Sequence, residues 1–336
     1  MCRVIGIDGI NKGEWSELVK SSPVATWFQT KEAYDFFSRL SFLESFTYGV
    51  EREKRLKGVI VGYIQRDGGK VKQYFSRRAI IIGGPLLAED ITDEELTVLL
   101  RSLNESLRKK AIYIETRNFN DYGRWRRVFE ECGFRYEPHL NFHVGTESVE
   151  EAQARIGKHR WRYIRLSLRD GAQLVEQPTK DQLDKFYSLL MELYRTKVKK
   201  PLFPMEFFEK LYALESARFF LIEYEGEIVG GSVCVCLEGK AVYEWMKCGD
   251  DHSHKNIRPS SVATWLGIKH AAENGCKVYD FMGAGKPNEP YGVRDFKAEF
   301  GGELVEHGRF IHECHPWLYY CGKKYYELLS LSRNKA

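Results

Sequence analysis

The side chains best suited to chemistry stand together in one stretch, residues 279–302. It begins as a predicted strand at Lys277–Phe281 and breaks into a loop with three glycines and two prolines. It then resumes as a short helix that carries Lys297. Open α/β sheets bind ligands in polar loops at the carboxyl ends of their strands. The pattern therefore predicts either a wall of an active site or an ordinary strand–loop–helix connection, and this stretch alone does not separate the two.

Three more polar residues lie on strands that lead into loops. Tyr243 and Glu244 are neighbours on the predicted strand Ala241–Lys247, so side-chain alternation lets only one of them face a cleft. A carboxylate there could accept a proton and a tyrosine could orient a substrate, whereas ordinary packing is the alternative for both. Asp280 either faces the cleft or ties the loop by accepting bonds from backbone N–H groups. We favour the second role for Asp280.

Cations follow the first helix of the second half of the chain. Arg195 and Lys199, together with Lys197 and Lys200, could hold phosphates or carboxylates beside the cleft. The alternative is a charged helix end, where cations complement the macrodipole. Lys31 occupies a comparable place in the first half, with a weaker case.

A basic run of residues, 158–165, joins the two halves. Cations and aromatic residues alternate in it: Arg160, Trp161, Arg162, Tyr163 and Arg165. Such a pattern is typical of segments that bind a phosphate backbone and stack on bases. The alternative is an amphipathic connecting helix in which Trp161, Ile164 and Leu168 pack and the arginines face water.

Composition indicates a globular protein. The chain has 336 residues, 43% of them apolar and 29% charged, which suits two domains with separate cores. No apolar run reaches the ~20 residues that span a bilayer, and Asp8 makes the start a poor signal peptide. Eight scattered cysteines favour a cytoplasmic protein with reduced thiols, and Cys234-x-Cys236 has no second pair to form a zinc site. We therefore expect no metal. A net charge of +4 gives no reason to expect DNA binding.

The predicted elements occur twice in the same order. Capping boxes mark helix starts at Thr92 and Thr179, and Pro259 suits a first helical turn. Three pairs of segments are separated by the same 168 positions: Val61-Gly62 and Val229-Gly230, Glu131-Cys132-Gly133 and Glu299-Phe300-Gly301, Asn141-Phe142-His143 and Arg309-Phe310-Ile311. A repeat of this kind indicates a duplicated domain. The predicted fold class is α/β (α+β), with two tandem domains at 1–150 and 151–315. Each has a mixed, mostly antiparallel sheet flanked by helices, and a C-terminal helix at 316–336 packs back on the fold.

Three motifs resemble the Fem family (FemA, FemB and FemX-like), whose members have two domains of the GNAT acyltransferase fold. The motifs are Phe28-Gln29-Thr30, Tyr279-Asp280-Phe281 before a glycine-rich loop, and Tyr291-Gly292-Val293 followed by Phe296-Lys297 and Phe300-Gly301-Gly302. The resemblance covers about residues 25–315. Members of that family build peptidoglycan interpeptide bridges from aminoacyl-tRNA. The first half lacks the Phe-Lys pair, since Val128 and Phe129 stand there. The second domain is therefore expected to carry the activity.

The resemblance implies a role for Lys297, and the other roles follow from the residue types and positions described above. The family's lysine that matches Lys297 stabilises negative charge near the transferred acyl group, and a solvated surface lysine is the alternative here. Glu244 and Tyr243 complete the catalytic set. The expected substrate contacts are Arg195, Lys199, Tyr291, Phe296, Asp280 and Lys31, and the expected contacts to tRNA or phosphate are Arg160, Arg162 and Arg165.

The expected function is that of a cytoplasmic acyl or aminoacyl transferase that acts on an amine of a peptidoglycan precursor. Aminoacyl-tRNA would be the donor, no cofactor would be tightly bound, and the aromatic C-terminal segment could contact a membrane surface weakly. One alternative is an acyl-CoA-dependent N-acyltransferase on another small amine. Against it, the acetyl-CoA signature Gln/Arg-x-x-Gly-x-Gly/Ala is absent and the segment Lys255–Ser261 has no glycine to cradle a pyrophosphate. A non-catalytic protein that binds the precursor or tRNA is a third interpretation.

Overall fold

The chain folds as two units in the computed structural model, which describes residues 2–333. One unit comprises residues 2–138 and 307–333, and the other comprises residues 139–306. Each unit is built around its own mixed sheet. The fold class predicted from the sequence is confirmed, because each sheet is mostly antiparallel and carries helices.

The bounds of the elements in chain order are as follows. The strands are β1 (Cys2–Gly6), β2 (Leu43–Arg52), β3 (Arg55–Gln65), β4 (Arg78–Gly83), β5 (Leu86–Leu87), β6 (Tyr113–Asn118), β7 (Phe134–Glu137), β8 (Leu140–Gly145), β9 (Gln173–Val175), β10 (Ala217–Tyr224), β11 (Glu227–Leu237), β12 (Ala241–Gly249), β13 (Val278–Asp280), β14 (Glu303–Glu306) and β15 (Arg309–Glu313). The α-helices are α1 (Lys12–Ser21), α2 (Lys31–Arg39), α3 (Lys70–Ser76), α4 (Asp93–Leu107), α5 (Arg126–Glu131), α6 (Val149–Arg155), α7 (Lys158–Arg169), α8 (Lys180–Leu193), α9 (Met205–Tyr212), α10 (Pro259–Glu273), α11 (Gly292–Ala298) and α12 (Pro316–Arg333). Short 3₁₀ turns lie at Ile7–Gly9, Trp27–Gln29 and Gly123–Trp125, and a π-helical turn at Tyr194–Val198 continues α8.

The first unit has the strand order β1–β2–β3–β4–β6–β15–β7, with β5 beside β3. Among the described strands of this unit, β4 and β6 alone pair in parallel. Helix α4 covers one face with the stripe predicted from its helical spacing. Its buried leucines are Leu96, Leu99, Leu100, Leu103 and Leu107. They form one core cluster with residues of the sheet such as Ile60, Ile81 and Phe310.

The second unit has the strand order β14–β8–β13–β12–β11–β10–β9. In the part of the chain that the structure describes, β12 and β13 are the parallel pair of this sheet. Helix α10 is apolar around most of its circumference, as expected of a helix enclosed on several sides, and it packs on β10, β11 and β12. Trp265 and Ile268 of this helix share a core cluster with Tyr279 and Phe281. The strand–loop–helix stretch of residues 279–302 therefore starts from the middle of this core.

The unit boundaries differ from the predicted domains 1–150 and 151–315. Strand β8, predicted to end the first domain, lies in the second unit's sheet between β14 and β13. Strand β15, predicted to end the second domain, lies in the first unit's sheet between β6 and β7. The two strands match at the 168-residue offset, and each buries a phenylalanine at its centre, Phe142 and Phe310. Their local sequences suit either sheet, so only tertiary contacts select the partner.

Several local signals are confirmed by the structure. Both capping boxes form: Thr92 and Glu95 bond each other's backbone N–H groups, and so do Thr179 and Gln182. Pro259 begins α10. The hairpin between β10 and β11 turns at Glu225 and Gly226, which have φ values of 52° and 81°. Positive φ at both central residues is the twist that a two-residue hairpin requires.

Several short elements were not predicted from the sequence: β1, α1, α3, β5, β7, α6, β9 and β14. Helix α1 buries only Trp15 and Leu18, which is too sparse a stripe to recognise by periodicity. Its start is fixed by Asn11, whose side chain accepts bonds from the N–H groups of Gly13 and Glu14.

The C-terminal helix α12 packs on the first unit at its start. The ring of Tyr319 meets the ring of Tyr113 edge to face, with centroids 5.2 Å apart. Trp317 and Tyr320 are exposed, and the predicted weak contact with a membrane surface stays a prediction. Residues 334–336 of the predicted helix lie outside the described residues. Within residues 2–333, no helix combines the length and the apolar character needed to cross a bilayer.

Candidate active site

The parallel strands β12 and β13 separate after three residues. Their ladder joins Ala241 to Val278, Val242 to Tyr279 and Tyr243 to Asp280. Strand β12 then continues to Gly249, whereas β13 ends and the chain enters the loop. Beyond Tyr243, this edge of β12 has no ladder partner among the described residues. The opening lies at the carboxyl ends of two parallel strands, where a ligand can reach both backbone groups and side chains.

A β-bulge reorients the side chains of β12 at this opening. Val233 on β11 pairs with Met246 and Cys234 pairs with Glu244, so Trp245 is an extra residue in the ladder. On a regular strand, residues 244 and 247 would point to opposite faces. The extra residue brings them to one face, where Lys247 Nζ lies 3.1 Å from Glu244 Oε1. The bulge thus creates a buried ion pair that strand alternation forbids.

Glu244 is the centre of a hydrogen-bonded cluster. Its Oε2 accepts bonds from the Thr264 hydroxyl at 2.7 Å and the Tyr279 hydroxyl at 2.8 Å. Lys247 Nζ also donates to Thr264 Oγ1 at 3.0 Å. Burial alone would raise the pKa of Glu244, but the charges of Lys247 and Lys297 and these hydrogen bonds hold it below its ordinary value. An ionised carboxylate with three donors is a poor proton acceptor. These contacts suit a counter-charge, and the role of general base stays a prediction.

Lys297 is buried, with 8% of its surface exposed, so the alternative of a solvated surface lysine is wrong. Its Nζ donates to the carbonyl oxygens of Phe281 at 2.9 Å and Gly283 at 2.6 Å. Burial lowers its pKa to about 8; the positive charge of Lys247 also lowers it, whereas Glu244 and Asp280 oppose the shift. The ammonium is thus aimed at the start of the loop by two backbone acceptors.

The loop that holds Lys297 is itself fixed by Asp280. Asp280 Oδ1 accepts bonds from the Met282 N–H at 2.6 Å and the Asn141 amide at 2.7 Å, and Oδ2 lies 3.0 Å from His143 Nε2. The Gly283 N–H donates to Asn141 Oδ1. Gly283 has a φ of 130°, a conformation that side-chain-bearing residues rarely adopt. Asp280 is 2% exposed and ties the loop through these bonds, which is the structural role that we favoured, and its contact with a substrate stays a prediction.

Two residues predicted to contact ligands instead stabilise the helix of Lys297. The Phe296 ring lies 4.4 Å from the Arg160 guanidinium and 3.9 Å from Lys247 Nζ, measured to the ring centroid. Arg160 also binds both carboxylate oxygens of Glu299 at 3.1 Å and the Ser261 hydroxyl at 2.7 Å. Phe296 and Arg160 are partly buried and join α7, α10 and α11, and their contacts with ligands stay predictions.

The remaining predicted residues do not join this cluster. Tyr243 is buried and pairs with Asp280 in the ladder, and because it precedes the bulge it points away from the Glu244 face. Tyr291 is 43% exposed and lies across Gly285, where an added Cβ would sit 2.9 Å from its ring. Arg195 is exposed and pairs with Glu192, and Lys199 is exposed with a φ of 56°.

Lys31 belongs to the first unit and binds Asp35 through both carboxylate oxygens, at 2.6 and 2.7 Å. Arg162 and Arg165 are exposed on α7. Of the alternative proposed for this run, a packed Trp161 and Ile164 are confirmed, whereas Leu168 is 40% exposed.

Sequence reasoning missed Lys247, Thr264, Asn141 and His143. Lys247 was hidden by the bulge, because alternation along β12 assigns it to the wrong face. Thr264 lies at the centre of α10 between buried apolar residues. A buried hydroxyl needs a hydrogen-bond partner, and this was the sequence feature that could have identified it. In the sequence, Asn141 and His143 stood out only as part of the repeat. Their position beside Asp280 depends on the pairing of β8 with β13, which only the structure shows.

The depressed pKa of Lys297 predicts a pH dependence. If the ammonium form supports the reaction, its contribution is present below the folded-state pKa and is lost as the pH rises through about 8. Lys297→Arg should move this falling limb upward, because a guanidinium stays protonated. Rate profiles of both proteins between about pH 6 and 10 measure the effect. An identical falling limb in the two proteins would contradict the assignment to Lys297.

The parallel strand pair of the first unit, β4 and β6, does not separate as β12 and β13 do. Strands β4 and β6 stay paired over six residues, from Arg78–Tyr113 to Gly83–Asn118, so no gap opens between them. Val128 and Phe129, which stand where Phe296 and Lys297 would be, are buried core residues. Among the described residues, the opened strand pair with a buried lysine therefore occurs in the second unit.

Comparisons with known proteins agree with this geometry. Residues 157–297 match the family model described as an acetyltransferase (GNAT) domain. No curated protein sequence matches the chain. Among solved structures, FemX is similar at a TM-score of 0.72 with 16% identity, covering 95% of this chain and 99% of that one. A tandem GNAT protein from the clavulanic acid biosynthesis pathway is similar at 0.60 with 9% identity, covering 94% and 99%. L-PGS from Bacillus licheniformis is similar at 0.55 with 12% identity, covering 93% and 96%.

At these identities the structural likenesses establish the fold, and the family match establishes the type of domain that carries Lys297. The resemblance noted from the three motifs is confirmed at that level. The chain therefore has a tandem GNAT fold, as FemX does, and residues 157–297 of its second unit match an acetyltransferase (GNAT) domain.

Proposed function

We propose that the protein transfers an aminoacyl group from aminoacyl-tRNA to an amine of a peptidoglycan precursor. The observation that carries the proposal is the Lys297 ammonium, buried at the opening between β12 and β13 and aimed by the carbonyls of Phe281 and Gly283. An ammonium has three hydrogens, and among the described residues only two of them find acceptors. The third can bond an oxyanion that forms beside it.

The reaction follows from this placement. The neutral amine nitrogen attacks the ester carbonyl carbon, a C–N bond forms, and the carbonyl oxygen takes up negative charge. Lys297 stabilises that oxygen in a site with little competing water. The carbon–oxygen bond to the ribose then breaks, and the proton lost by the attacking nitrogen ends on the leaving hydroxyl. Glu244 keeps Lys297 and Lys247 compatible with burial, since one carboxylate offsets part of two adjacent positive charges.

The start of α10 supports tRNA over acyl-CoA as the donor. A pyrophosphate at a helix N-terminus needs free backbone N–H groups. Here the Ser260 N–H donates to Asp251 Oδ1 at 3.1 Å, and those of Ser261 and Val262 donate to the Arg258 carbonyl. Pro259 has no N–H to offer. The Asp251 carboxylate therefore occupies the place that a pyrophosphate would need and would repel it.

The proposal for the acceptor rests on the likeness of fold to FemX and on exposed groups of the second unit. Tyr291, Arg195 and Lys199 are exposed there and remain our candidates for acceptor contacts, and Lys31, which is partly exposed in the first unit, stays a candidate. A nucleotide-linked or lipid-linked muropeptide carries phosphates that such cations suit. The substrate and donor together imply a cytoplasmic protein.

A transfer assay with three donors tests the proposal. Purified protein is given a UDP-linked muropeptide and labelled aminoacyl-tRNA, labelled acetyl-CoA, or the free amino acid with ATP. We expect the label to move to the muropeptide only from aminoacyl-tRNA. Transfer from acetyl-CoA alone would overturn the choice of donor and favour an N-acyltransferase on a small amine. Asp251→Ala serves as the internal control, because it should not reduce transfer from aminoacyl-tRNA.

The non-catalytic interpretation makes a different prediction in the same experiment. A protein that only binds the precursor would be stabilised thermally by the muropeptide but would transfer no label from any donor. Titrating the muropeptide in a thermal-shift measurement on the same sample separates this outcome from loss of folded protein, since binding to the native state raises the melting temperature.

A further inference from the structure

Helix α7 carries a row of basic residues that have no role in the acyl-transfer site. Its sequence, Lys158 to Arg169, contains six basic residues with His159 counted and no aspartate or glutamate. Lys158, Arg162, Arg165 and Arg169 follow one another at steps of four, three and four residues, so they share one face. All four are exposed. We call these four residues the basic stripe, which extends about 17 Å along the helix at 1.5 Å per residue.

The opposite face of α7 packs against the core of the second unit. Ile164 is fully buried, and Trp161 meets Trp265 of α10 edge to face at 5.1 Å. Ser167 donates to the carbonyl of Tyr163 or Asn256, at 2.8 and 3.0 Å, and accepts a bond from the Arg258 N–H. Arg160 points inward to Glu299. The basic run seen in the sequence thus divides into one structural arginine and an outward stripe.

The stripe is unfavourable for the isolated protein. Lys158 and Arg162, and Arg165 and Arg169, are like charges four residues apart, which destabilises a helix by roughly 0.2–0.5 kcal/mol for each pair. Lys158 also lies in the first turn, where a cation opposes the macrodipole. Asp170 pairs with Arg169 at 2.7 Å, but Lys158, Arg162 and Arg165 have no carboxylate partner among the described residues. The neighbouring helix α6 shows the usual solution, since Arg155 pairs there with Glu147 and Glu151.

A local rule broken in this way indicates a site that is completed by a ligand. We propose that the basic stripe binds the phosphodiester backbone of RNA and holds the body of the donor tRNA. The inference rests on the proposed function and names a surface for the donor outside the acyl-transfer site. Guanidinium and ammonium groups on a rigid helix bind phosphates without reading bases, so recognition by the stripe is independent of nucleotide sequence.

An RNA partner fits the helix better than an anionic membrane surface. Helices that lie in a membrane interface insert an apolar face beneath their cations. In α7 that face is already packed, since Ile164 is buried and Trp161 lies against Trp265. Leu168, 40% exposed, is the large apolar residue of α7 that is left at the surface. A polyanion that needs only electrostatic contact is the partner that remains.

Binding of uncharged tRNA by the full chain tests the proposal directly. The variant Lys158→Gln/Arg162→Gln/Arg165→Gln removes the three cations without a carboxylate partner. Its matched control, Lys180→Gln/Lys185→Gln/Lys210→Gln, removes three cations of the same unit that each pair with a glutamate. We expect the stripe variant to bind tRNA about 10–100-fold more weakly than the wild type. The slope of the logarithm of its binding constant against the logarithm of the salt concentration should be smaller in magnitude by about two to three. The control should bind nearly as the wild type does. An equal loss of tRNA affinity in both variants would show that only the net charge of the protein matters and would overturn the proposal.

A second readout keeps this inference separable from the proposed function. The stripe variant should raise the KM for full-length aminoacyl-tRNA but leave transfer from an aminoacylated dinucleotide unchanged, because the dinucleotide cannot reach the stripe. Equal losses with both donors would show that the substitutions damage the acyl-transfer site, against the proposal. If the wild type transfers from neither donor, the proposed function fails, while the tRNA titration still decides whether the stripe binds RNA. Loss of binding to phosphatidylserine vesicles with tRNA binding intact would replace RNA by a membrane and overturn the assignment.

Discussion

Replacing Lys297 by methionine is expected to lower the rate of transfer by about 10²–10³-fold, the typical effect of removing one preorganised donor to an oxyanion. Methionine keeps most of the side-chain volume and removes the ammonium that Phe281 and Gly283 orient. If Lys297 acts mainly on the transition state, the loss should appear in kcat, with KM for both substrates nearly unchanged. Initial rates with varied donor and acceptor measure the two constants.

The fold should survive this substitution. Burial holds the pKa of Lys297 at about 8, below its ordinary value of 10.5, so folding weakens proton binding although the ammonium form still predominates at neutral pH. The unfolded chain binds more protons than the folded chain between about pH 8 and 10.5, and the free energy of unfolding should rise with pH across that window. Lys297→Met should flatten this rise. A matched control, Lys269→Met, removes a partly exposed lysine of α10 that pairs with Glu273 and should leave the rate unchanged. A wild-type rate in Lys297→Met would exclude Lys297 from the chemistry.

Replacing Glu244 by glutamine is expected to lower the free energy of unfolding of the second unit by about 3–5 kcal/mol, because it leaves buried cations without their counter-charge. Glu244 Oε1 faces Lys247 at 3.1 Å, and an amide nitrogen placed there would oppose the ammonium. The amide oxygen of the glutamine, in the place of Oε2, could still accept hydrogen bonds from Thr264 and Tyr279. The loss of stability therefore reports the removal of the negative charge and not the removal of the whole cluster. Chemical denaturation followed by fluorescence of the second unit measures the change.

A double variant provides the control for Glu244. In Glu244→Gln/Lys247→Met one buried cation leaves together with the carboxylate, and we expect at least half of the lost stability to return. Activity separates the two possible roles of the carboxylate. A counter-charge predicts that the double variant regains part of its transfer rate, whereas a general base predicts that the rate stays low however stable the protein becomes. Full loss of rate in a stable double variant would therefore restore the proton-acceptor role for Glu244.

Signals that act over a few residues were sufficient for much of the fold. The capping boxes and the leucine stripe of α4 depend on neighbours within about one helical turn, and each forms as predicted. The duplication gave the fold class, since two copies with one element order build two similar sheets. The Phe-Lys motif pointed to Lys297 because the second copy alone keeps it.

Tertiary structure decided what each of these residues does. The extra residue Trp245 turned Lys247 onto the face of Glu244, and only pairing with β11 creates such a bulge. Arg160 and Phe296 were expected to bind ligands, but packing of α7 and α10 against α11 makes them partners of each other. Sheet order placed β8 and β15 in units that local sequence does not specify, because both strands have similar alternation. By itself, then, the sequence determined the duplicated fold and the candidate lysine. The charges, acceptors and opened strands around that lysine come from contacts between residues far apart in the chain, and no local pattern encodes them.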